Sequence, residues 1–113
     1  MKTNTPRNHL RTHRYRSGLS QRELGLLLDR EQEEVSRHER ATTMPSLIAG
    51  LCYQAVFRVP VSDLFPGIQA HVTQMIESKL AVLENELEQR SARDRGANAV
   101  AKKLMWLKER KGR

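Results

Sequence analysis

The stretch from Ser20 to Arg40 constrains this chain most, because it contains two short helical patterns separated by a turn. Ser20 and Glu23 have the spacing of a capping box, in which each side chain bonds the backbone amide of the other residue. This spacing predicts the start of a helix. The leucines that recur at helical spacing and would form its buried stripe are Leu24, Leu27 and Leu28.

Two residues predict how the second helix follows the first. Gly25 costs about 1 kcal/mol relative to alanine inside a helix, so its presence indicates that another backbone comes close, most simply a crossing helix. Asp29 stands where the chain must turn, and Asp is among the non-glycine residues that most easily enter the left-handed conformation. A second helix is then predicted to begin near Glu31, with Val35 as its buried residue.

A set of motif residues extends from this region towards both ends. It consists of Leu19-Ser20-Gln21, Glu23-Leu24, Leu28, Val35-Ser36-Arg37, Glu39-Arg40, Pro45-Ser46-Leu47 and Asp63-Leu64-Phe65. In this order and without a gap, the stretch from about Leu10 to Phe65 resembles the helix-turn-helix of the phage-repressor-like, or XRE, family of DNA-binding regulators. The resemblance implies an all-α fold, with a five-helix repressor-like DNA-binding domain at 1–67 and its helix-turn-helix at about 20–40. A C-terminal helical hairpin or dimerisation helices would follow at 68–113.

The resemblance also implies which side chains meet double-stranded DNA. In such proteins the second helix, here at 31–40, lies in the major groove, and the first crosses the DNA backbone. Glutamine can contact adenine, arginine can contact guanine, and glutamate can accept from cytosine. The residues expected to read bases are Gln21, Gln32, Glu33, Ser36 and Arg37. The residues expected to contact phosphates, which position the protein without reading sequence, are Arg11, Arg40, Thr42 and Thr43.

Three acids in the predicted recognition helix oppose DNA binding unless basic groups lie beside them. Glu31, Glu33 and Glu34 crowd the turn that would face the polyanion, although carboxylates there complement the helix macrodipole by roughly 0.3–1 kcal/mol each. One alternative is a protein-interaction module that keeps the fold, such as an antitoxin whose C-terminal helices bind a toxin. Another is a sequence-indifferent nucleic-acid binder that uses the basic residues 108–113.

The helices around this motif have their own signals. Thr5-Pro6 predicts the start of a first helix that ends at Gly18. The resemblance pairs Arg14 of this helix with Glu39, and removing one member of a buried pair of this kind costs several kcal/mol. Ser46 predicts the cap of a fourth, largely apolar helix, and a short last helix ends before Pro66-Gly67. The residues expected in the core from the fourth helix are Leu47, Leu51, Val56 and Phe57, with Tyr53 or Cys52 beside them.

The C-terminal part predicts a homodimer. The apolar residues that alternate at spacings of four and three, and that form the expected seam, are Ile76, Leu80, Leu83 and Leu87. A second amphipathic helix follows from about Ala97, and residues 108–113 are expected to be disordered. Dimerisation is expected because one recognition helix reads only a few base pairs, whereas two copies about 34 Å apart would meet a palindromic site, the usual target of a repressor.

Composition limits the remaining function classes. The net charge of +7 favours a polyanionic partner, and no apolar run approaches the roughly 20 residues that span a membrane. A lone cysteine cannot form an internal disulfide, so a cytoplasmic protein is expected.

The histidines do not predict a metal site. His9 and His13 have the spacing of a helical metal pair but lack a third ligand nearby. His13 and His38 replace aliphatic residues of the family and are expected to be half-buried or core histidines. We expect no metal, no cofactor and no enzymatic activity.

Overall fold

A computed structural model describes residues 8–91 and 97–112, and in these residues the chain is all-helical, with seven α-helices and no strand. The helices are α1 (Leu10–Ser17), α2 (Gln21–Leu28), α3 (Gln32–Glu39), α4 (Leu47–Phe57), α5 (Val61–Leu64), α6 (Pro66–Ser91) and α7 (Ala97–Lys111). The chain divides into two compact units, Met1–His71 and Val72–Arg113, so the boundary lies within α6 and beyond residue 67. None of the helices described has both the length and the apolar content needed to cross a membrane.

Helix α1 begins later than the sequence predicts. The Asn8 side chain accepts a hydrogen bond from the Leu10 amide at 3.0 Å and donates one to the His38 carbonyl at 2.9 Å. The His9 amide donates to the Leu64 carbonyl at 2.8 Å. These contacts hold residues 8 and 9 outside the helix, so the prediction of a continuous helix from Thr5-Pro6 is wrong at Asn8 and His9. Thr5-Pro6 itself lies outside the described residues.

The turn between α2 and α3 follows the predicted chemistry. Ser20 and Glu23 form both bonds of the capping box, at 3.0 Å and 2.8 Å. Asp29 adopts the left-handed conformation, with φ 58° and ψ 46°. A Cβ added to Gly25 would lie 2.7 Å from the carbonyl oxygen of Arg30. The added Cβ would also lie 3.5 Å from the amide nitrogen of Gln32, the first residue of α3, so the close backbone at Gly25 consists of the turn and the start of the next helix.

The first unit has one apolar core, but two of its helices present different faces from those expected. Leu27 is 57% exposed, so the stripe of α2 consists of Leu24 and Leu28. Helix α4 buries Ala49, Gly50 and Tyr53, and it leaves Leu47 and Leu51 exposed while Val56 and Phe57 are half-buried. Because α4 is apolar on nearly every side, its pattern does not identify the face that packs. The core residues are Leu10, Leu24, Leu28, Val35, Tyr53, Leu64 and Phe65.

The second unit is a helical hairpin of the described parts of α6 and α7. Its buried centre consists of Leu87, Val100 and Leu107, with Leu80 and Leu104 packed against them. Two ion pairs hold its outer edge: Arg110 lies 3.2 Å from Glu77, and Lys111 lies 2.9 Å from Glu84. Residues 108–111 are therefore helical, and the prediction that this segment is disordered is wrong.

Candidate nucleic-acid interface

A buried cluster around Glu39 joins the first three helices. Arg14 donates two hydrogen bonds to the Glu39 carboxylate, from Nε at 2.5 Å and from Nη2 at 3.1 Å, and a third to the Leu19 carbonyl at 3.1 Å. The Glu39 side chain is fully buried and that of Arg14 is 9% exposed. Gln21, at the start of α2, donates to the same carboxylate at 3.0 Å. The predicted Arg14–Glu39 pair is thus present, and it fixes α1, α2 and α3 against one another.

Both charges of this pair are retained at neutral pH. Burial alone raises the pKa of Glu39, but the hydrogen bonds from Arg14 and Gln21 and the charges of Arg14 and Arg11 outweigh burial, so its pKa lies below the ordinary value. The hydrogen bond to Glu39 raises the pKa of Arg14 by more than burial lowers it. The cluster is therefore stable over the whole neutral pH range.

Gln21, predicted to read a base, has part of its amide engaged in this cluster. A primary amide has two N–H donors and an acceptor oxygen, and Glu39 uses one donor. The side chain is half-buried. Gln21 can therefore offer one amide N–H and its amide oxygen to an external partner.

The outer face of α3 carries the other four predicted base-reading residues. Val35 and His38 point into the core, with exposed fractions of 0% and 3%. On the opposite side of the helix, two residues are exposed and two are half-buried. In chain order these four are Gln32, Glu33, Ser36 and Arg37.

Of the three acids predicted to oppose DNA binding, Glu31, Glu33 and Glu34, two have basic neighbours. Glu33 lies 3.8 Å from Arg37 and 3.5 Å from Arg40. Exposed pairs of this kind contribute about 0–1 kcal/mol to stability, but they neutralise the local charge. A second acid, Glu34, lies 3.2 Å from Arg30.

The remaining acid, Glu31, is the exposed N-cap of α3 and has no basic partner among the described residues. The outer face of α3 is consequently close to electrically neutral. It is not the acidic surface that the sequence alone suggests.

The residues predicted to contact phosphates are all accessible. Arg11 on α1 is 53% exposed and Arg40 is 46% exposed, and both threonines that follow α3 are exposed. Ala41 ends α3 in the left-handed conformation with φ 61°, without the glycine that is usual there. Thr42 then bonds the Arg37 carbonyl through its amide at 3.0 Å and its hydroxyl at 3.3 Å. Arg40, Thr42 and Thr43 thus lie together at the end of α3.

His38 is a buried histidine with a partner, as expected from the sequence. Its Nδ1 lies 2.8 Å from the Tyr53 hydroxyl, and the two rings meet edge to face. Burial lowers the pKa of His38; Glu34 acts against this, while Arg30 and Arg37 reinforce it. Tyr53 was predicted to lie beside the core of α4, but no local signal pairs it with a histidine fifteen residues away. Sequence reasoning also missed Arg30, although its spacing of four from Glu34 was a usable signal.

The four predicted dimerisation residues have different environments. Leu87 is fully buried and Leu80 packs against the same cluster inside one chain, so Leu87 has no surface for a second copy in this arrangement. Ile76 and Leu83 are 42% and 37% exposed. The residues of the predicted dimer seam are therefore divided between the core of the hairpin and its surface.

Among the described residues, no group of three or more His, Cys, Asp or Glu side chains could hold a metal ion. His13 is half-buried, and its ring lies 5.7 Å from that of Phe57. Comparisons with protein families, curated proteins and solved structures found no match.

Proposed function

We propose that this protein is a sequence-specific, double-stranded DNA-binding transcriptional regulator of the phage-repressor-like (XRE) type, acting as a repressor. In this proposal α1–α5 form a five-helix repressor-like domain, α3 enters the major groove, and two copies bind a palindromic operator. The observation that supports it best is the α2–turn–α3 arrangement, which leaves Gln32, Glu33, Ser36 and Arg37 on one open face.

Base reading would proceed through side chains that exchange weak surface contacts for DNA contacts. Arg37 would leave Glu33 for guanine O6 and N7, and Gln32 would pair with adenine N6 and N7. Losing the exposed Arg37–Glu33 contact costs little, because it spans 3.8 Å in water. Glu33 would then be available to accept from cytosine N4.

Positioning on the DNA backbone would come from the residues around this face. Arg40, Thr42 and Thr43 at the end of α3 and Arg11 on α1 would contact phosphates, since all four are exposed. The Glu39 cluster would keep Gln21 and α3 in fixed register, because its bonds come from both α1 and α2. A rigid scaffold of this kind lowers the entropic cost of binding.

The proposed dimer would use the surface of the hairpin. With Leu80 and Leu87 packed inside one chain, α6 has an exposed apolar stripe of Val72, Met75, Ile76 and Leu83, each 37–42% exposed, and a further apolar side chain, Val82, which is 68% exposed. Two such hairpins would bury these stripes in a four-helix bundle. The surface acids of α6, such as Glu86 and Glu88, and the surface lysines of α7, such as Lys102 and Lys108, would give the two copies complementary charges.

The test is selection of bound sequences from a random pool of duplex DNA by the full chain, followed by affinity measurements across salt concentrations. An operator should be enriched, and log affinity should fall steeply against log salt because counterions are released. Gln32→Ala and Arg37→Ala should each weaken binding by roughly 5- to 150-fold and relax the preference at one base position. Failure to enrich any sequence, or a flat salt dependence, would favour a protein-interaction module instead.

The control for sequence-indifferent binding targets α7. Because Arg110 and Lys111 pair with Glu77 and Glu84 on α6, truncation at residue 108 would remove contacts of the hairpin together with the charge. The triple variant Lys102→Gln, Lys103→Gln, Lys108→Gln removes exposed charges and spares both ion pairs. It should keep most of the operator affinity, whereas a large loss with no effect of Gln32→Ala would contradict sequence-specific reading.

A further inference from the structure

Helix α4 exposes an apolar face that its own unit does not cover. Leu47, Ile48 and Leu51 are 77%, 69% and 47% exposed, and Met44 just before the helix is 67% exposed. No charged residue occurs anywhere from Ala41 to Phe57, in a chain of which 29% is charged. Scattered apolar residues on a surface are ordinary, but a contiguous apolar and uncharged patch marks an interaction site.

This face borders a groove between α4 and the residues that follow it. One wall includes Met44 and Leu47, and the other includes Val61 and Ile68. Phe65 and Gly50 also line the groove, which is mostly apolar. A groove of this composition fits large apolar side chains presented by a helix.

Gly50 gives the groove its depth, and the chain's own packing does not require a glycine there. A glycine inside a helix is less stable than an alanine. At Gly25 a Cβ would meet backbone at 2.7 Å, whereas a Cβ at Gly50 would meet nothing within 4 Å. The space above Gly50 is therefore open, and close approach by a second molecule is a reason for glycine at this position.

We infer that the α4 face and its groove dock against the same surface of a second copy of this chain. An uncharged helix with large apolar residues along one side fits this groove, and α4 is the only described helix of eight or more residues without a charged side chain. In a two-fold dimer one surface meets itself, so Leu47 and Leu51 of each copy are available for the groove over Gly50 of the other. The inference rests on the proposed function in one respect, the two-fold homodimer.

The size of the patch agrees with this role. A stable dimer buries about 800 Å² on each partner. The hairpin offers the four partly covered side chains of the α6 stripe and three more exposed ones, Val82 at 68%, Met105 at 62% and Trp106 at 50%, and the face formed by Met44 and α4 adds four that are 47–77% exposed. The α4 contact therefore adds substantially to what the hairpin alone can bury.

The test is sedimentation equilibrium of the full chain without DNA, with Gly50→Leu and Leu47→Glu as variants. Leu47 is exposed, whereas Gly50 is buried with open space only around an added Cβ, so circular dichroism and urea unfolding check that each variant folds. Each should weaken dimerisation by about tenfold or more, as loss of a central interface contact does. Gly50→Ala should raise the melting temperature by roughly 4–8 °C, because alanine favours the helix, while it weakens dimerisation. Opposite effects on stability and association cannot come from misfolding.

Thr12→Leu is the control for a new leucine side chain, since it places one on the exposed side of α1. It should leave dimerisation unchanged. A native dissociation constant for Gly50→Leu would overturn the α4 interface without affecting DNA binding, which the selection experiment measures separately. A native chain that stays monomeric would also overturn the inference, and the groove would then belong to a different protein partner.

Discussion

At the scale of single residues, the fully buried carboxylate of Glu39 is the group whose environment matters most for the fold. Its charge is compensated by Arg14 at 2.5 Å and it accepts a hydrogen bond from Gln21 at 3.0 Å, while Arg11 is further away at 3.6 Å and half exposed. A buried charge that loses its partner is far more costly than the intact pair is favourable. The two arginines therefore provide an internal comparison.

Arg14→Ala should lower the free energy of unfolding by about 3–5 kcal/mol, because it leaves the Glu39 carboxylate buried without its cation. Arg11→Ala should lower it by at most about 1 kcal/mol, since Arg11 is exposed to water. Urea unfolding of the full chain, followed by circular dichroism, measures both. Equal losses in the two variants would mean that the buried Arg14–Glu39 pair contributes no more to the free energy of unfolding than the exposed contact of Arg11.

His38 predicts how stability depends on pH. Its pKa is lowered in the folded state, chiefly by burial, so the unfolded chain takes up this proton first as the pH falls. The groups that face it are Glu34, Arg30 and Arg37 on its own side of the chain and Tyr53 on α4. The contribution of neutral His38 is thus fully present above pH 6.5 and declines below it, by at most about 1.4 kcal/mol per pH unit.

The measurement is the free energy of unfolding at pH 7.5 and at pH 5.5. His38→Gln removes the titrating group and should flatten the difference between the two values, whatever it does to stability itself. His71→Gln, at an exposed position on α6, should keep the native difference. An unchanged pH dependence in His38→Gln would assign the effect to other groups.

At the scale of elements, the turn between α2 and α3 depends on one glycine. Gly25→Ala would place a methyl group 2.7 Å from the Arg30 carbonyl, so the two helices must separate. We expect a loss of about 1–3 kcal/mol despite the higher helix propensity of alanine. Gly50→Ala makes the same chemical change in open space and should stabilise by up to about 1 kcal/mol. Urea unfolding should therefore give opposite signs, and a stabilising Gly25→Ala would refute the close approach.

Local signals predicted the elements well where local chemistry determines them. The capping box at Ser20, the left-handed turn at Asp29 and the end of α1 at Gly18 each depend on residues within a few positions. The start of α1 was not predicted correctly, because it is determined by hydrogen bonds from Asn8 and His9 to residues far along the chain. The buried face of α4 was predicted correctly at Tyr53, Val56 and Phe57 and wrongly at Leu47 and Leu51, since a helix that is apolar all round has no periodicity to identify its core side.

The candidate site was predictable to a similar degree. Four base-reading candidates on α3 share one open face because Val35 marks the opposite, buried face in the sequence. The bond from Gln21 to Glu39 and the placement of Glu33 between two arginines depend on tertiary packing and on side-chain rotamers. Sequence alone therefore identified Glu31, Glu33 and Glu34 but not the arginines that lie beside Glu33 and Glu34.

At the scale of the whole molecule, the two units would have separate tasks. The first carries the open face of α3, and the second carries an apolar stripe that one hairpin cannot cover. Joining two recognition surfaces makes the second half-site contact intramolecular, which raises affinity by about 10²- to 10⁴-fold when the geometry allows both contacts. Dimerisation and operator affinity should consequently fall together.

The double variant Ile76→Glu, Leu83→Glu tests this coupling, because it places two charges in the exposed stripe of α6 and leaves the buried Leu87 intact. Native protein should bind a palindromic operator roughly 10²- to 10⁴-fold more tightly than a duplex with one half-site, whereas the variant should bind the two duplexes almost equally. Fluorescence anisotropy with both duplexes measures the ratio. Ala81→Glu adds a charge at another exposed position on α6 and should keep the native ratio. A variant that retains the full preference for the palindrome would show that α6 does not join the two copies.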